Sequence, residues 1–174
     1  MPESKPRAAS TDTASRSRGA GEDALALLKA DHQEVQQLFE QYDELVEQEA
    51  DGKQRQRLAL EICRQLTVHA EIEEQAFYPV ARDALGEEED LVDEATVEHA
   101  SAKTLIAQIQ RMKPDEPLFD AKVKVLGEYI QHHVQEEERE MFPKLKKAGL
   151  DLDAIGQELA EMKARKLQAQ PAKH

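Results

Sequence analysis

Four stretches of this chain place apolar residues at alternating steps of three and four, and in every one of them a histidine interrupts the apolar line. The first runs through Leu25, Leu28, His32, Val35, Phe39, Tyr42 and Val46, the second through Leu58, Ile62, Leu66, His69, Glu73, Ala76 and Val80. The third is Val92, Ala95, His99, Ala102, Ile106 and Ile109; the fourth is Val123, Leu126, Ile130, His133, Glu137, Met141 and Leu145. That spacing is the buried stripe of an amphipathic α-helix, which must pack against other helices. No alternating apolar run bounded by turn residues offers a strand. The expected fold is all-α.

The breaks between stripes set the connectivity. A turn near 50-ADGK-53 separates the first two helices, the acidic 86-GEEED-90 opens the third, Pro114 and Pro117 close it, and Gly149 is a left-handed cap for the fourth. Asp151 or Asp153 can cap a short fifth helix over 154–166. Short connections make neighbours antiparallel, so the arrangement is an up-down-up-down four-helix bundle. His32 lies 19 residues before a turn at residue 51 and His69 lies 18 after it, so the two are level. About a turn near residue 116, His99 and His133 are level in the same way. The link between the hairpins fits less evenly, and the second helix is expected to bend or end a little after Pro79, with part of 80–90 as connection.

A degenerate internal repeat reinforces this picture. A shift of 64 lays His69 on His133, Glu73 on Glu137, Glu74 on Glu138, Tyr78 on Phe142 and Pro79 on Pro143. More loosely, Asp31-His32 matches Glu98-His99. The bundle should have approximate two-fold symmetry.

Outside 21–167 the pattern stops. Residues 1–20, rich in Ser, Ala, Thr and Arg, read as a disordered tail, and 168–174 as a frayed end with a solvated His174. Of 23 Lys and Arg against 36 Asp and Glu, the first twenty residues hold four and two, which leaves 19 against 34 for the rest. Such an acidic surface repels phosphate backbones and anionic lipid, so no nucleic-acid or membrane partner is expected. No apolar run approaches the length of a membrane span, and the N-terminus lacks the apolar core of a secretory signal. The single Cys63 forms no internal disulfide, which fits a reducing, cytoplasmic compartment.

The chemistry lies in the polar residues of the stripes. A His and a Glu at i and i+4 share one helix face, with Cβ atoms ~6 Å apart, and both can reach one metal ion. A carboxylate can also bridge two ions. Two such helices supply two bridges, and single histidines from the other two complete a binuclear site of His32, His69, Glu73, His99, His133 and Glu137. Imidazole with carboxylate suits iron or manganese better than thiolate-seeking metals. Two histidines, both carboxylates and a bridging oxo or hydroxo give each ion five ligands, leaving positions open for O2, peroxide, NO or water. The alternative is a metal-free buried layer of His–Glu hydrogen bonds. Two ionised glutamates left without partners in a core would cost several kcal/mol each, which favours the metal.

Other polar residues carry less. His132 points off the stripe toward solvent, and Glu136, Glu74 and Glu138 are solvated or serve as outer partners of ligating histidines. Cys63 is rotated off the metal face and reads as a small buried hydrophobe, and Tyr42 and Tyr78 read as packing residues first, with a role beside the metals as the lesser alternative. No Walker loop, nucleophile elbow or Cys-rich zinc pattern is present.

The ordered set His32, 69-HAEIE-73, His99 and 133-HVQEE-137, with 77-FYP-79 and 142-FP-143 following, resembles the hemerythrin-like HHE cation-binding domain over about residues 22–160. The resemblance implies an antiparallel four-helix bundle holding two non-haem iron ions bridged by two carboxylates. Oxygen-carrying hemerythrins have a further histidine four residues after the third-helix ligand, and here that residue is Lys103. The resemblance thus implies a more open four-histidine centre that binds or senses O2, peroxide or NO. Turnover of peroxide or NO, or iron handling, is the alternative. Cluster-repair relatives carry a long N-terminal domain, so with twenty residues ahead of the bundle that role is not expected.

Overall fold

The structure is a computed structural model and describes residues 21–172. The expected disordered tail, 1–20, and His174 lie outside the described residues. Helix α1 spans Ala24–Glu47, with the Asp23 carboxylate accepting from the Ala26 amide at 2.9 Å as its N-cap. Asp51 does the same for α2, Gly52–Ile72, accepting from Lys53 N and Gln54 N. The second long helix then continues through a π turn, Glu73–Phe77, into α3, Tyr78–Leu85. After a 3-10 turn at Gly86–Glu88 comes α4, Asp90–Arg111. The fourth long helix is α5, Phe119–Glu136, a second π turn, Glu137–Met141, and α6, Phe142–Lys147. Gly149 has φ +75°, the left-handed cap its sequence position implied, and Asp151 caps α7, Leu152–Ala169. The described residues hold no strand.

The second helix does not end near Pro79. It runs on to Leu85, and the link to α4 is confined to residues 86–89, with Gly86 at φ +56°. The π turn explains how the helix passes the proline. In each π turn the backbone hydrogen bond spans one more residue than in an α-helix: Tyr78 donates to the Glu73 carbonyl and Phe142 to the Glu137 carbonyl, five residues back rather than four. Pro79 and Pro143 each lack an amide and crowd the preceding turn, and each follows its π turn by one residue past the closing bond. The extra residue advances the buried face by one position. Ala81 is therefore fully buried where the regular period put Val80.

The four long helices bury two apolar clusters with the polar layer between them. On one side lie Leu28, Ile72, Phe77, Met141, Phe142 and Leu145; on the other lie Val35, Tyr42, Ile62, Leu66, Ile106, Phe119 and Leu126. Helix α7 packs on α1 and α2, and its Leu159 joins the first cluster.

Its close approach is made possible by Gly156, where an added Cβ would stand 2.5 Å from the Glu22 carbonyl oxygen and 2.8 Å from the Ala24 nitrogen. These are backbone atoms at the capped start of α1 and cannot yield cheaply. Gly156→Ala is expected to destabilise the fold by ~1–3 kcal/mol through overpacking. The urea midpoint should fall with little change in slope; an unchanged midpoint would mean that α7 does not dock on α1 as described.

Candidate metal centre

The bundle brings all six sequence-identified residues into one buried layer. His32, His69, Glu73, His99, His133 and Glu137 are each at most 7 % exposed, and the two glutamates at most 1 %. The level pairs meet as the turn spacing required: ring centroids are 4.9 Å apart for His32 and His69, and 4.7 Å for His99 and His133.

Both glutamates straddle the two pairs. Glu73 Oε1 stands 3.1 Å from His69 Nε2 while its Oε2 stands 3.2 Å from His99 Nε2. Glu137 Oε2 stands 3.3 Å from His32 Nε2 while its Oε1 stands 3.4 Å from His133 Nε2. Donor atoms of His32, His69, Glu73 and Glu137 all lie within 4.8 Å of one another, as do those of Glu73, His99 and His133. Each group is compact enough to surround one ion.

Four buried atoms of the first group, His32 Nε2, His69 Nε2, Glu73 Oε1 and Glu137 Oε2, make no hydrogen bond. Leaving such atoms unsatisfied costs about 1–3 kcal/mol each. A cation among them would satisfy all four at once, so the residues present fit a bound metal.

The electrostatics point the same way. Burial opposes a charge on His69, yet the Glu73 and Asp31 carboxylates outweigh it and push its pKa up to about 10. Burial opposes a charge on His133 too, but Glu137 and Glu98 push it up to about 11. Burial raises the carboxyls of Glu73 and Glu137, but the facing histidines dominate; Glu73 sits well below the ordinary carboxylate range and Glu137 at about 2. Two buried carboxylates thus demand positive charge in this layer.

Each of the four site histidines turns Nδ1 outward to a carboxylate. His32 meets Glu138 at 2.9 Å, His69 meets Asp31 at 3.2 Å, His99 meets Glu74 at 2.9 Å and His133 meets Glu98 at 2.6 Å. With Nδ1 held as the donor, Nε2 is the ring nitrogen left to give up its proton and turn a lone pair toward a cation, the arrangement that orients metal-binding imidazoles. The sequence reading reached Glu74 and Glu138. It missed Asp31 and Glu98, each of which precedes one site histidine but serves the histidine of a neighbouring helix. The repeated acid-His dipeptides, 31–32 and 98–99, were the signal.

Tyr78 was also missed. Its hydroxyl donates to Glu137 Oε1 at 2.6 Å and lies 3.3 Å from Glu73 Oε2 and 3.1 Å from His99 Nε2. Burial and the two carboxylates hold its pKa well above the ordinary phenol value, so it is an O–H donor. The π turn swings Tyr78 into the layer. In the other half Phe142 takes the equivalent place and stacks on His32, centroids 6.0 Å apart.

The remaining residues behave as expected. Tyr42 is buried and donates to Asp120 at 2.6 Å, and Arg55 pairs with the same carboxylate. Cys63 is fully buried, and burial pushes its thiol up to about 12. His132 is solvent-exposed and contacts Glu136 at 3.0 Å. Lys103 does not face the ligand atoms; its ammonium donates to both Glu74 oxygens, at 2.7 and 2.6 Å.

Two spaces adjoin the layer. A cavity of about 20 Å³ touches all four site histidines, with Val35, Leu66, Ala102, Ile106 and Ile130 among its apolar walls. That is room for about one water-sized molecule. A groove of about 620 Å³ between α1 and α5 reaches His32 and Glu138 from the surface, along Phe39, Tyr42 and Gly127. Among the described residues no helix is long and apolar enough to cross a membrane.

The comparisons agree with this architecture. A crystal structure of a hemerythrin HHE cation binding domain-containing protein from Mycobacterium kansasii superposes with a TM-score of 0.69, covering 85 % of this chain and 89 % of that one at 22 % identity, a likeness of fold. A protein of Nostoc sp. named DNA nickase is 31 % identical over 144 residues, 83 % of this chain, which spans 39 % of that protein's length. Residues 23–145 match the hemerythrin HHE cation binding domain and include all six residues of the buried His/Glu layer. By that match, and by a bundle whose core is built around cation-demanding histidines and glutamates, the chain belongs to the hemerythrin HHE cation-binding domain family.

Proposed function

We propose that this chain binds two non-haem iron ions, one held by His32 and His69, the other by His99 and His133, with Glu73 and Glu137 bridging both. Through them it binds or senses O2 or a related small oxidant, peroxide or NO. The observation that carries the reading is the division of each glutamate's oxygens between the two histidine pairs, with four buried donor atoms left unpartnered. The imidazole and carboxylate set favours iron or manganese. When bound, iron supplies redox-active positions at which small oxidants coordinate.

The chain's own residues do the rest. Outer carboxylates fix the imidazoles, the apolar cavity admits one small molecule and little water, and the α1–α5 groove gives a path from solvent to His32. A buried reducing-state Cys63 supports the cytoplasm as the compartment. The name of the Nostoc relative belongs to a longer protein, and an acidic chain with 36 Asp and Glu against 23 Lys and Arg repels a phosphodiester backbone. We therefore propose no nucleic-acid substrate.

The test is titration of the iron-loaded, reduced protein with O2, peroxide and NO while following its absorption spectrum. Reversible changes with at least one of them support the binding reading. Spectra that respond to none of the three would remove it.

One observation favours a second reading, an enzyme that turns over peroxide or NO. The Tyr78 hydroxyl, buried against Glu73, Glu137 and His99, places an O–H hydrogen-bond donor inside the layer. Tyr78→Phe copies the aromatic that already occupies the matching place in the other half, so the fold and the metal content should survive. If Tyr78 supplies a proton, the rate of peroxide consumption should fall by ~100-fold, in the range of general-acid catalysis. An unchanged rate would return Tyr78 to a packing role.

A further inference from the structure

We propose that Lys163, on α7, is a positioning residue for the metal centre, so that docking of the fifth helix and filling of the His32/His69 half are coupled. The inference rests on the metal-centre reading above and extends it to a helix beyond residues 23–145, the span that matches the family. Asp31 on α1 is only 7 % exposed and divides its two oxygens. Oδ2 faces His69 Nδ1 at 3.2 Å, and Oδ1 accepts from Lys163 Nζ at 2.6 Å. Three helices thus meet in one chain of contacts: α7 holds the carboxylate of α1, which holds the imidazole of α2.

The arm is unlike its counterparts. His99 has a similar chain, Glu74 and then Lys103, but Lys103 sits on α4, the helix that carries His99 itself. Among the described residues, the His69 arm is the one in which a lysine from outside the four-helix bundle fixes a site histidine. Without Lys163, Oδ1 of a buried carboxylate loses its charged partner and the carboxylate is free to turn away from His69. The remainder of the α7 docking does not touch a site histidine's partner: Lys166 pairs with Glu71 at 2.7 Å, and Arg64 donates to the Gln170 carbonyl at 3.1 Å. This separation makes the role of Lys163 testable.

Coupling of this kind is reciprocal. If docked α7 holds His69 in register for a metal, then metal in the His32/His69 half must tighten α7.

The experiment compares the full-length wild type with Lys163→Met, Lys163→Arg and Lys166→Met. Each is loaded anaerobically with Fe2+, and separately with Co2+, whose visible absorption reports ligand geometry. Dissociation constants come from chelator competition, and α7 amide exchange is followed with and without metal. Lys163→Met should weaken one of the two ions about tenfold, the lower end of outer-partner effects, with a shifted Co2+ spectrum. It should also abolish the metal-induced protection of α7. Lys163→Arg should recover both, and Lys166→Met should speed α7 amide exchange without undocking the helix, leaving the affinities and the metal-induced protection unchanged. Two ions in the wild type with Lys163→Met indistinguishable from Lys166→Met would overturn this inference alone. A wild type that holds no ion would overturn the metal-centre reading and this inference with it.

Discussion

Replacing Glu73 and Glu137 together by alanine is expected to abolish binding of both ions while leaving the helical bundle folded. Each carboxylate faces both histidine pairs, so losing the two removes a pair of ligand atoms from either half and the only shared ligands between them. Outer-partner substitutions at metal sites cost ~10–100-fold in affinity, and loss of two bridging ligands should exceed that. The fold should survive because the change also removes what makes the layer costly. Both glutamates are all but fully buried, so each alanine leaves a cavity, but the histidines left behind can shed their charge rather than stay unpaired. With the carboxylates gone, burial acts on His69 and His133 with less opposition, and both shift toward the neutral form. Circular dichroism and metal analysis of the double variant decide the matter. Two ions per chain with an unchanged spectrum would mean that Glu73 and Glu137 are not the bridges.

Removing the metal from the wild type is expected to lower its melting temperature more than any surface substitution. A ligand that binds only the folded chain stabilises it by about 4 kcal/mol at a concentration a thousand times its dissociation constant. Two ions double that figure, and at roughly 2–4 °C per kcal/mol for a chain of this size the shift is on the order of 15–30 °C. The metal-free layer still has internal compensation, since Tyr78 donates to Glu137 and His133 faces the same carboxylate with its pKa raised, so the apo-protein should remain folded at room temperature. The orphaned atoms of the His32/His69 half mark where most of the loss should fall. Calorimetry on chelator-treated and reloaded protein measures the difference; equal melting temperatures would mean that the layer is satisfied without a cation.

Much of this site was legible because helical periodicity is regular. A step of three or four carries the buried face from residue to residue, and the distance to a turn gives the level, so His32, His69, His99 and His133 could be placed in one layer from spacing alone. What failed was tied to breaks in that regularity. The π turns begin at Glu73 and Glu137 themselves, and one extra residue in the turn brought Tyr78 into the layer and exchanged Val80 for Ala81. The repeat misled at the same point, because it paired Tyr78 with Phe142 and so read a hydrogen-bonding residue as packing. Asp31 and Glu98 escaped for a different reason. A stripe describes contacts along one helix, whereas these carboxylates each serve a histidine on the next. Lys163 lies beyond the four stripes altogether, on a helix whose sequence gave only a cap and a faint period.

The most direct test of the central claim is the metal content of the protein purified from iron-replete cells. About two irons per chain are expected, with absorption bands of a bridged pair that vanish in the Glu73→Ala, Glu137→Ala variant. One iron per chain, or none in a protein whose helical stability is undiminished, would contradict it and leave the four histidines and two glutamates as a buried polar layer.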